Sequence, residues 1–60
     1  MNKEQTKELL ARTVCLWHIG KPSMWDRGED GGGWEGPPKK DYYEAADMIV
    51  TNLETQGVSL

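Results

Sequence analysis

Sixty residues with a formal net charge of −3, one cysteine and three tryptophans define a single small domain and exclude several classes at the outset. One cysteine rules out an internal disulfide framework, and no basic stripe exists of the kind that gives proteins their affinity for nucleic acid. No apolar run approaches the ~20 residues of a membrane span, and Met1 to Gln5 lacks the apolar stretch of a secretory signal, so a soluble, cytoplasmic protein is expected.

So short a chain buries only about 60% of the surface that its unfolded form exposes. Tryptophan offsets this, since each ring buries on the order of 200 Å². At roughly 25 cal/mol per Å² one such ring contributes several kcal/mol. Phenylalanine is absent, so tryptophan and tyrosine supply all aromatic packing.

The first predicted element is a helix from about residue 2 to 19. Asn2 is a suitable N-cap, and Gln5 three residues on completes a capping box. Leu9, Leu10, Thr13, Val14, Leu16 and Trp17 fall on one broad face at helical spacing, the face expected to be buried, with Trp17 in the core. Glu4, Glu8 and Arg12 form a row on the other side, with Glu8 and Arg12 placed to attract each other. Gly20 and Pro22 end the helix.

Residues 20–40 are predicted to be a long loop. They hold Pro22, Pro37, Pro38 and five glycines between Gly28 and Gly36, a composition that disfavours regular structure. Ser23 to Asp26 can form one short capped turn. Such a loop in a compact domain is usually functional or disordered. Trp25 and Trp34 argue against full disorder, because each must fold back onto the helices or meet a partner.

The third element is a helix from about 41 to 56. Asp41 is the expected N-cap, with Glu44 as its capping-box partner. Tyr42, Ala45, Ala46, Ile49, Val50 and Leu53 make one apolar stripe, and Gly57-Val58 is a stop signal. The expected fold is therefore all-α: two amphipathic helices packed as an antiparallel pair, joined by the Gly/Pro/Trp loop. Ala45 and Ala46 permit close approach. A homodimeric four-helix bundle is the alternative way to bury both stripes, with Leu10, Val14, Ile49 and Leu53 between subunits.

Few residues suggest chemistry. Cys15 and His18 lie at i,i+3, but zinc needs four ligands, or three and a water, and only a dimer would supply two of each. A thiol nucleophile also needs an orienting group and oxyanion donors around a concave site. Asp26-Arg27-Gly28-Glu29-Asp30 is rich in oxygen ligands without the alternation of a calcium loop. The glycine run lacks the lysine and hydroxyl of a phosphate loop. No catalytic residue, metal ligand or cofactor is predicted, and the chain is expected not to be an enzyme.

The leading expectation is a protein-interaction module. Trp34 and Trp25, with Met24, are the candidate anchors for insertion into a pocket, since aromatic residues dominate interface hot spots. The neighbouring acids Asp26, Glu29, Asp30 and Glu35 favour a protein partner with a basic surface. Trp34→Ala is expected to weaken binding and leave the helices intact. A further alternative is an acidic DNA mimic, in which Asp47 and Glu54 join those four acids.

The layout of Gly20, Pro22 and Trp25, followed by Tyr43, Ala46, Ile49, Leu53 and Gly57-Val58, resembles small accessory proteins of actinobacterial phages, a type without an assigned function. The run Gly31 to Gly33 and Trp34 depart from that pattern. The resemblance carries over no site residue. It implies a protein that binds and redirects a host protein of transcription, replication or defence.

Overall fold

The computed structural model describes residues 2–58. It consists of α1 (Lys3–Ile19), α2 (Pro22–Arg27) and α3 (Lys39–Thr55), with no strand among the described residues.

The start of α1 is a complete capping box. The Gln5 amide donates to the Asn2 side chain at 2.8 Å, and the Asn2 amide donates back to Gln5 Oε1 at 2.9 Å. Two of the helix's orphan donors are thereby satisfied. At its end Gly20 adopts φ +80° and donates to the Leu16 carbonyl at 2.7 Å, a conformation that glycine reaches without a steric penalty.

The predicted loop is shorter than expected because helices enter it from both sides. The turn expected at Ser23 to Asp26 is part of a six-residue helix, α2, whose first residue is Pro22. Proline suits that position, since its missing N–H has no helical partner to lose. α3 begins two residues earlier than expected. Its N-cap is Pro38, and Asp41 sits inside the first turn, its amide donating to the Pro38 carbonyl at 3.0 Å. Asp41 therefore acts through its charge at the positive end of the helix and not as a side-chain cap. α3 closes as expected: the amides of Val58 and Gly57 donate to the Leu53 and Glu54 carbonyls, both at 3.0 Å. This is the bond pair of a Schellman motif.

The long helices run antiparallel. Lys3 pairs with Glu54 at 2.9 Å and Lys7 with Asp47 at 2.7 Å near one end. His18 Nδ1 meets the Tyr42 hydroxyl at 3.0 Å near the other. The residues in contact advance in steps of four along both helices: Lys7, Ala11 and Cys15 on α1, and Tyr42, Ala46 and Val50 on α3. These five non-lysine positions are all buried. The small side chains of Ala11, Cys15 and Ala46 let the backbones approach.

α2 covers one side of the pair. Asp26 is tied to Arg12 of α1 at 3.1 Å, so Arg12 is taken by α2 and not by Glu8 as expected. Met24 and Trp25 are sealed beneath. Trp25 has three aromatic neighbours: Trp34 at 6.2 Å, Tyr42 at 6.4 Å and Tyr43 at 5.6 Å between ring centroids. The Lys39 ammonium lies 4.5 Å above its ring. The chain returns to α3 through Gly36, at φ +89°, where an added Cβ would lie 2.9 Å from Ile19 Cδ1. The positive φ is the demand that favours glycine there, since the end of the Ile19 side chain could shift.

Candidate protein-binding surface

The broad face predicted to be the core of α1 is turned away from α3. Trp17 is 83% exposed, Leu9 53% and Leu16 44%. Leu10 and Val14 are half-buried, and only the neighbouring row through Ala11 and Cys15 is sealed. The placement of Trp17 in the core is therefore corrected. The physical reason is size. Two helices approach most closely where side chains are small, so the alanine and cysteine row takes the contact, and one partner helix cannot cover the wide stripe beside it.

That stripe continues onto α3. α2 touches the pair through Arg12 on α1 and Tyr43 on α3. Leu10 and Val14 lie one row to the other side of the α1 contact row, and Ala45 and Ile49 likewise on α3. All four are half-buried, as is Leu53. Trp17 and Met48 form the outer edges, with Met48 68% exposed. Leu9, Leu10, Thr13, Val14 and Trp17 on α1 and Ala45, Met48, Ile49, Asn52 and Leu53 on α3 are uncharged, and the two α3 rows begin at the exposed acids Asp41 and Glu44. An exposed apolar surface with acids at its rim is the mark of an interaction site.

The residues singled out in the loop have other duties. Met24 is 1% exposed and Trp25 6%, so neither can enter a partner's pocket without unfolding α2; their assignment to a partner is corrected. Trp34 is half-buried against Trp25, and its indole N–H donates to the Pro37 carbonyl at 3.0 Å. It is a lid on the aromatic cluster. The structure thus brings Met24, Trp25 and Trp34 together, as core. The acids are dispersed: Asp26 pairs with Arg12 and Glu35 with Lys21 at 2.7 Å, while Glu29 and Asp30 sit exposed in the glycine turn. Asp47 and Glu54 are also paired with lysines. Four of the six acids assigned to DNA mimicry therefore face cations of their own chain.

Cys15 and His18 do not form a working pair. Cys15 is 1% exposed, and His18 Nδ1 is engaged by the Tyr42 hydroxyl. Burial pushes the Tyr42 phenol above its ordinary pKa, helped by the adjacent Cys15 and by Asp41. Among the described residues, no three of His, Cys, Asp or Glu gather closely enough to hold a metal ion. A depression lined by Gln5, Glu8, Leu9 and Arg12 is open and built from α1 alone; it encloses nothing. No described helix is long and apolar enough to cross a membrane.

Compared with protein-family models, with curated proteins and with solved structures, the chain matches none. The resemblance to phage accessory proteins gains no support from those comparisons.

Proposed function

We propose that this protein is a non-enzymatic interaction module that works by burying the apolar side of its helix pair, centred on Trp17, against another polypeptide. The exposure of Trp17 carries the reading. The chain places two of its three tryptophans in or over the core, yet leaves the third 83% exposed on a rigid helix, beside Leu9, Leu10, Val14 and Leu16. An aromatic side chain held in that way offers large contact area at little entropic cost, and such residues dominate binding hot spots. Helical anchors at i, i+4 and i+7, here Leu10, Val14 and Trp17, also suit the docking of one helix face against an apolar groove.

The test is capture with a tagged chain from a lysate of its native cells, using the parent, Trp17→Glu and Trp34→Ala. The expected result is a polypeptide, whether another protein or untagged chain, that the parent and Trp34→Ala retain and Trp17→Glu loses. An ordinary interface tryptophan is worth about 2 kcal/mol or more, so retention should fall at least tenfold. Retention unchanged by Trp17→Glu and lost with Trp34→Ala would return the binding site to the loop and overturn the proposal.

A further inference from the structure

We infer that the occupant of the apolar side is a basic amphipathic helix of another protein, docked with its cationic end over Asp41 and Glu44 beside Trp17. The inference rests on reading that side as a polypeptide-binding surface, and names the chemistry of what binds there.

Charge is distributed unequally along that side. His18 meets Tyr42, so Trp17 and Asp41, one residue before each, stand at the same end of the helix pair. Asp41 heads the α3 row that runs on through Ala45 and Ile49 to Leu53, and Glu44 heads the row of Met48 and Asn52. Both acids are exposed. Neither takes part in an ion pair among the described residues, although Lys40 stands one turn before Glu44. Asp26, Glu35, Asp47 and Glu54, in contrast, each meet a cation of their own chain.

Helix stability accounts for only one of the two acids. Asp41 lies in the first turn of α3, where the helix dipole favours a negative charge. Glu44 lies beyond that turn, out of the dipole's short reach. Its charge has no partner within the chain and stands free for one outside it.

Unpaired acids at the head of an apolar surface restrict what can lie over it. Anionic lipid and nucleic acid are repelled. A helix with an apolar face and no cation would cover the rows and leave the carboxylates without a partner. A helix with Lys or Arg at one end meets both demands. Its apolar residues at i, i+3, i+4 and i+7 lie over Leu10 and Val14 on α1 and Ala45 and Ile49 on α3, and its cations reach Asp41 and Glu44. The row from Asp41 to Leu53 runs about 18 Å at 1.5 Å per residue, so a partner helix of roughly three turns covers it. The net charge of −3 draws a basic segment in from a distance. A second copy of the chain is a poorer match, because Lys3 and Lys7 of its α1 are already paired with Glu54 and Asp47.

Selection from a displayed library of amphipathic helical peptides tests this. The peptides carry leucine at i, i+3, i+4 and i+7 and random residues elsewhere. The baits are the full chain, its double variant Asp41→Asn, Glu44→Gln, and Trp17→Glu. All three positions are exposed, so circular dichroism should show unchanged helix. The parent is expected to retain peptides enriched in Lys and Arg at one end. The double variant should lose that enrichment and bind the parent's peptides roughly threefold to tenfold more weakly at low salt, as expected for two exposed ion pairs. Trp17→Glu should retain none of them. Parent-bound peptides without a basic end, or with one that the double variant still selects, overturn the inference; if Trp17→Glu loses those peptides, the broader reading of the surface stands. Peptides that Trp17→Glu retains overturn both. A parent that retains no peptide overturns the inference and leaves the broader reading to the capture experiment. A parent that sediments as a dimer dispersed by Trp17→Glu also overturns it, since a second copy would then hold the surface.

Discussion

Replacing Trp25 with alanine removes the ring on which Trp34, Tyr42, Tyr43 and the Lys39 ammonium all rest. The expected cost is about 3–5 kcal/mol, comparable to the whole net stability of a chain this small. Trp34→Ala strips only the lid. It should lower stability by roughly 1–2 kcal/mol through the lost ring contact and the lost indole hydrogen bond. Thermal unfolding followed by circular dichroism should show no cooperative transition for the first and a lowered midpoint for the second. Equal, small effects would mean that the cluster is not the core. The importance of the tryptophans was legible from their number in so short a chain. Which ring went inside was not. Trp25 is buried because α2 lays it on Tyr42 and Tyr43, partners from α3 that spacing within α2 cannot reveal. Trp17 looked buried because it falls on an apolar stripe, and a stripe does not say how much of itself one partner helix will cover.

At the scale of helices, local signals did well where the chemistry is local. The Asn2 and Gln5 box, the Gly20 stop and the Gly57-Val58 stop all form as their residue types require. The start of α3 was misplaced because Asp41 resembles a cap, while Pro38, with φ already fixed, led the chain into the helix first. The face of α1 was misjudged because large apolar residues outweigh small ones in a hydrophobic pattern, whereas close helix packing favours the small row Ala11 and Cys15. The pairing of the two helices carries a signature in pH. Burial raises the pKa of Tyr42 and of Tyr43, and a hydrogen bond to Asp47 raises that of Lys7. Each group then holds its proton more tightly folded than unfolded. Its contribution is complete below its unfolded pKa of about 10 and is lost as pH rises through the higher folded value. Asp47 has the opposite sign: Lys7 lowers its pKa, so its contribution is present above an unfolded pKa of about 4 and disappears as pH falls below that. That pair is exposed, so the acid effect should be slight. Chemical denaturation across pH should therefore show a clear loss of stability above pH ~10, in step with tyrosinate absorbance. Flat alkaline stability would contradict the burial of the Tyr42 phenol.

For the whole molecule, the all-α class and the antiparallel pair were readable from two amphipathic periods of matching length. The site was not, because both the sequence pattern and the composition draw attention to the loop. Its glycines, acids and two tryptophans look like a recognition element, yet the structure uses them to close one side of a two-helix core. The opposite side then stays open, apolar and edged by Trp17 and Met48. The division of labour between the two sides is the central claim, and photo-crosslinking addresses it most directly. A photoreactive amino acid would replace Trp17 in one sample and Asp30, exposed in the loop, in another, with irradiation in native cells. The account predicts defined polypeptide adducts from position 17 and none above background from position 30. Adducts from position 30 alone would contradict it, placing recognition in the loop after all.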